Sequence, residues 1–213
     1  MKKIIAFLMV LGLIIPQVGY AADKNKTLQK ALKKEYKAKK KELEKGGWQL
    51  FGSSRTIDVA LLKHYDKLEA LDDNGYEVVG TADNFKSKNI GHQMAINNAT
   101  TVYGQQAGST LKGRVVSDMG ANGTDNAAEF DHFYAAYERL VEKEIKNEMT
   151  ESFTIIRQLP DGNYEMQSFF IVDENSAVKA RMRALENAAK ETELAQDFAN
   201  KISDFVRGGL DRE

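Results

Sequence analysis

The sequence predicts an α+β domain, a small antiparallel sheet backed by helices, with a Lys-rich helix before it and a long helix after it. Three observations lead there. Apolar residues recur at three- and four-residue intervals in five separate stretches, the mark of amphipathic helices. Four short stretches rich in valine, isoleucine and aromatic residues lie between them and read as strands. Two of those strands flank Pro160-Asp161-Gly162-Asn163, which signals a hairpin and hence antiparallel pairing.

In chain order, Lys2 and Lys3 precede an apolar run from Ile4 to Ile15, broken by Pro16 and followed by the small residues of Gly19-Tyr20-Ala21-Ala22. This is the pattern of a secretory signal over residues 1–22. The run has twelve residues, whereas a helix needs about 20 to span a bilayer. Cleavage after Ala21 or Ala22 is expected to release a periplasmic or secreted protein. No cysteine follows the run, so the chain is not expected to be a lipoprotein. Cysteine is absent throughout, which excludes thiolate metal sites, redox pairs and cysteine nucleophiles.

Residues 23–47 form a basic leader. Ten lysines stand against four acidic residues between Asp23 and Lys45, while Gly46 to Glu213 holds 18 basic and 27 acidic residues. Thr27 to Lys45 reads as a helix with a thin apolar side of Leu28, Ala31, Leu32, Tyr36 and Leu43, ended by Gly46-Gly47. The body is expected over residues 48–172. Trp48 to Phe51 is a short strand candidate. Ile57, Ala60, Leu61, His64, Leu68 and Leu71 mark a helix, Asp72 to Gly75 a turn, and Tyr76 to Ala82 a strand. Asn89 to Arg114 reads as a helix lying flat on the sheet through Ile90, Met94, Ala95, Asn98, Ala99, Val102 and Gln106. A loop over Ser117–Asn126 and a helix over Ala127–Met149 follow, then strands over Ser152–Leu159 and Tyr164–Val172. Residues 173–213 carry the last helix. Its stripe runs from Val178 through Val206, and thirty residues of helix would measure about 45 Å, longer than a small sheet.

This order of pieces resembles a known family. A strand ending in Gly80-Thr81-Ala82 is followed by a helix with Ala95, Asn98-Ala99 and Tyr103-Gly104-Gln105, and later by a hairpin with Asp161-Gly162-Asn163-Tyr164 and an alternating strand. Over roughly residues 48–172 this is similar to the lipoprotein-twenty-like envelope proteins, relatives of the amino-terminal domain of flagellar assembly protein T. The resemblance implies a helix-backed antiparallel sheet and a non-catalytic role in the cell envelope. The family's eponymous members carry a lipid on a cysteine that this chain lacks, so the resemblance brings no membrane anchor. The leader and the last helix lie outside it.

A search for chemistry finds little. His64 falls on the inner stripe of its helix, where a core histidine bonded to a carbonyl is the plain expectation. His92 and His132 lie in or beside separate helices, and Asp131 and His132 leave their helix about 100° apart, so no metal site is signalled. Ser53, Ser54 and Ser109 lack the surroundings of a nucleophile. Glu138 and Glu142 can share a helix face, as solvated ion-pairing groups or as paired carboxylates. Gly104 to Gly113 lacks the ending of a phosphate loop. Phe130, Phe133, Tyr134 and Tyr137 share a face and are expected to line the main interior with Trp48 and Phe51.

No cofactor is expected. The leading expectation is a non-catalytic structural or adaptor module that binds another envelope component. Another envelope protein, or a second copy, would meet Ala195, Ala199, Ile202 and Val206 on the last helix. Lys33, Lys37, Lys40 and Lys41 would assist, or would hold an anionic envelope surface. Nucleic acid is not an expected partner. The alternative is a periplasmic carrier of a small apolar ligand or lipid, which would need an apolar cavity. A hydrolase would need two convergent acidic or histidine side chains in a cleft.

Overall fold

β4 (Tyr164–Asp173) is the strand around which the molecule is organised, because both of its faces are covered. Phe169 points to one helical layer and its neighbour Phe170 to the other, as alternation along a strand requires. The computed structural model describes residues 21–119, 127–192, 203, 206 and 207. Residues 1–20, the greater part of the expected signal, lie outside that range.

The elements follow the predicted order. α1 (Ala21–Lys45) leads through Gly46-Gly47 into β1 (Gln49–Leu50), and α2 (Ile57–Leu71) follows, its first turn capped by the Thr56 hydroxyl accepting from the Val59 N–H. A single 3₁₀ turn over Asp72–Asn74 leads to β2 (Gly75–Phe85). α3 (Lys88–Met119) and α4 (Ala127–Ile145) precede β3 (Met149–Gln158), β4 and α5 (Glu174–Glu191). The fold is α+β, with an antiparallel sheet in the order β1-β3-β4-β2. In the β3–β4 hairpin the Leu159 N–H bonds the Asn163 carbonyl at 2.8 Å and the Asp161 carboxylate accepts from the Asn163 N–H.

One layer holds α1 and α2. Leu43, Trp48 and Leu61 pack there on Phe153, Ile155 and Phe169. The other layer holds α3, α4 and α5, where Tyr103, Phe133, Tyr137, Ile145, Ala184 and Leu185 surround Val78, Phe170 and Val172. A smaller cluster of Ala82, Phe85, Ala95, Ile156 and Met166 closes the far end of that second face. Phe133, Tyr134 and Tyr137 therefore line the main interior as predicted. Trp48 and Phe51 do not join them: Trp48 belongs to the α1–α2 layer, and Phe51 packs at the edge of the third cluster.

α3 presents a different face from the expected one. Ala95 and Ala99 are fully buried, but Ile90 is 60 %, Met94 44 % and Val102 44 % exposed. The buried line runs through Ala95, Ala99, Tyr103, Ala107 and Leu111 at strict four-residue spacing. Packing distance decides this. A Cβ on Gly80 of β2 would stand 1.9 Å from the Ala95 carbonyl oxygen, so the helix backbone rests directly on the strand, and only small residues fit beneath it. Asn98 fixes the same crossing by accepting from the Thr81 N–H at 2.9 Å.

Within the described range α5 covers the first part of the predicted last helix, and residues 203, 206 and 207 are again helical. α5 has 18 residues, and Thr192 closes it with its N–H on the Ala188 carbonyl. Its alanines at 177, 180, 184 and 188 are all buried against α4 and the sheet. The predicted loop after α3 begins later than expected, since Ser117 to Met119 are still helical and residues 120–126 are outside the described range.

Candidate functional site

The outer edge of β3 is built to be only half covered. β1 pairs with it at Ile155 and Ile156 alone, and the Phe51 N–H adds one bond to the Thr154 carbonyl at 2.9 Å. Gly52 then turns the chain away with φ +68°, a left-handed conformation that glycine takes without strain. Met149 to Phe153 is left with β4 on its inner side and, among the described residues, no strand outside. α2 returns across the opposite side of this opening, so that Ala60, Lys63 and Lys67, at three- and four-residue spacing, line one wall. The resulting groove has a volume of about 350 Å³, with Phe51, Ser152 and Phe153 on the strand side. Lys67 also borders a second recess of about 450 Å³ that reaches Thr150, Asn147 and the start of α5. The two together follow the uncovered length of β3.

The acids along the groove are already engaged in hydrogen bonds. Glu151 lies 3.0 Å from His92 Nε2 and accepts from the Thr154 hydroxyl at 2.6 Å. Glu148 holds Arg183 at 2.8 Å, and Asp173 caps α5 by accepting from the Asn175 N–H and the Ser176 hydroxyl. Arg55, Lys63 and Lys67 carry no ion pair among the described residues. A bare strand edge beside three unmatched cations can accept backbone hydrogen bonds and negative charge together.

The residues singled out from the sequence lie elsewhere. Lys33, Lys37 and Lys41 are exposed on the outer side of α1. Lys40 is not free, because its Nζ sits 2.5 Å from the Asp58 carboxylate of α2, which also accepts from the Tyr36 hydroxyl. With Leu43 buried, these contacts dock the leader on its own chain. Ala195, Ala199 and Ile202 lie outside the described residues. Val206 is 6 % exposed and packs in the main core, so that position of the stripe faces inward and offers nothing to a partner.

Asp58 gives the docking a pH dependence. The hydrogen bonds from Lys40 and then Tyr36 hold its carboxyl below the ordinary 3.8. A carboxyl depressed by folding stabilises the docked state fully above its unfolded value, and the contribution is lost as the pH falls through the lower folded value. Acidification from neutral pH to below the ordinary carboxyl value is therefore expected to loosen α1 and to expose the adjoining Trp48, read as a red shift of its fluorescence. Asp58→Asn should flatten that response, and a response of the same size in the variant would dismiss the link.

Other polar candidates resolve into packing. His64 is buried among Tyr65, Phe153 and Phe169, with Nε2 2.6 Å from a Glu77 carboxylate oxygen in a direction that makes no hydrogen bond. Its expected carbonyl partner is thus replaced by a carboxylate. His92 pairs with Glu151, and His132 is exposed. Among the described residues no three His, Asp or Glu side chains gather as a metal would require. Glu138 and Glu142 lay their stems over Gly108 and Gly104 of α3, which puts them at a helix contact and not in a cleft. Burial raises the Tyr65 hydroxyl to about 12, with Glu35 and Glu77 adding to the effect, so it stays protonated.

Sequence reasoning passed over the groove because its two walls meet only through the β1–β3 pairing. The available signal was Lys63 and Lys67 flanking an apolar stripe at four-residue spacing. Comparison with protein-family models, with curated proteins and with solved structures finds no match.

Proposed function

We propose that the chain is an exported, non-catalytic envelope protein, an adaptor module that binds another envelope component through the open edge of β3. The signal-like start supports export, and the resemblance to lipoprotein-twenty-like proteins points to the same compartment. The single observation that carries the binding role is the bare stretch Met149–Phe153 with a groove along it. Uncovered edges are normally shortened, paired or buried, and this one is left open between two well-packed layers.

A photoreactive residue placed at Ser152 in living cells tests the proposal, with the same residue at Gln105 on the outer side of α3 as control. An envelope protein captured at 152 and absent at 105 is the expected result. Equal capture at both positions, or a chain recovered from the cytoplasm, would refute it.

A further inference from the structure

We infer that the partner is a polypeptide, and that it enters as an extended, carboxylate-bearing segment added beside Met149–Phe153 as a fifth strand. This assignment presupposes that the groove is a binding site, as proposed above, and supplies the chemistry of what binds. Strand addition uses the one set of groups the groove offers in a row, the backbone N–H and C=O groups on the outer side of an edge strand. Those groups are spaced for another backbone and match neither a sugar chain nor a compact anion.

Charge selects among extended segments. The acids bordering the groove are already hydrogen-bonded to His92, Arg183 and the start of α5, whereas Arg55, Lys63 and Lys67 form no ion pair among the described residues. An entering strand that carries glutamate or aspartate on the side facing α2 completes these cations. Apolar side chains between the acids would point to the opposite face of the sheet, away from α2, as alternation along a strand requires. The same cations argue against a second copy of this chain, because its own edge brings three like charges to the contact. The register shift between Glu151 and Phe153 bends the edge at Ser152. A bulge of this kind interrupts pairing with an arbitrary flat strand and passes one that matches the bend.

The test uses the full-length chain and three synthetic peptides: one alternating glutamate with valine, one with lysine in place of glutamate, and one acidic but N-methylated at alternate amides. Hydrogen exchange and titration calorimetry are the readouts. The acidic peptide should slow exchange at Thr150–Phe153 about tenfold, and the other two should leave these amides unchanged. Lys63→Glu with Lys67→Glu should weaken the acidic peptide about tenfold and admit the lysine peptide. Binding of the N-methylated peptide as tight as that of its parent would overturn strand addition. So would protection elsewhere than β3, or displacement of the peptide by inorganic phosphate at equal concentration. If Ser152 captures an envelope protein in cells while no peptide protects β3, the strand inference fails and the adaptor proposal stands. If peptides protect β3 and nothing is captured in cells, the reverse holds.

Discussion

Glu174→Ala is expected to cost the fold about 3–5 kcal/mol, the range for stranding one partner of a buried ion pair. Arg181 on α5 is fully buried beneath α3, and its guanidinium reaches Glu174 at 2.5 Å and the Tyr103 hydroxyl at 2.6 Å. Tyr76 extends the chain by donating to Tyr103 at 3.1 Å. Burial works against the charged guanidinium, but the bonds to Glu174 and Tyr103 outweigh it and keep Arg181 protonated at every accessible pH. Without Glu174 the charge would remain inside the core with a tyrosine hydroxyl for company. At about 2–4 °C per kcal/mol for a chain of this size, thermal unfolding should fall by roughly 10 °C. Adding Arg181→Met to the same chain should restore most of the loss, since an apolar side chain of similar volume needs no counter-charge. If the double variant melts as low as Glu174→Ala alone, the unpaired charge is not the cause.

Gly80→Ala is the second large effect, expected at about 3 kcal/mol. The added methyl would stand 1.9 Å from the Ala95 carbonyl oxygen and 2.8 Å from the Ala99 Cβ. One obstacle is backbone and the other a methyl on a fixed stem, so neither can swing aside. α3 must lift, and the Thr81–Asn98 hydrogen bond at the crossing lengthens with it. Alanine's own preference over glycine in a strand recovers only about 0.5–1 kcal/mol. Gly113→Ala supplies the contrast: among the described residues nothing lies within 4 Å of its would-be Cβ, and the site is an exposed turn of α3. That change should stabilise by about 0.5–1 kcal/mol. Urea denaturation of both variants checks the pair, and a loss at 113 comparable to that at 80 would discard the close-contact explanation.

Local pattern made most of the fold legible. The five helices and four strands each announce themselves within their own residues, and the Pro160–Asn163 turn pairs two of the strands outright. What stayed hidden depended on residues far apart. On α3 the largest apolar side chains, Ile90, Met94 and Val102, suggest the inner face, yet Gly80 admits only the alanine line. Hydrophobicity and packing distance disagreed there, and distance won. Val206 looked like a projecting surface by spacing alone, because sequence does not say where the chain goes after Thr192. The groove was invisible for a related reason. Trp48 to Phe51 reads as a strand, but that β1 meets only two residues of β3 and leaves five more uncovered follows from the turn at Gly52. The docking of the leader turns on one residue, Asp58, whose position beside Lys40 is set by α1–α2 packing.

The strand order β1-β3-β4-β2 has a consequence for the timing of folding. Neither β1 nor β2 can pair with the other; each waits for one side of the C-terminal hairpin. During synthesis the amino-terminal half therefore emerges with no sheet to join, and closure comes only after β4 has left the ribosome. Such non-local topologies close slowly. Under the export proposed above, the delay would be useful, since the pairing that would lock the chain in the wrong compartment is the last to become possible.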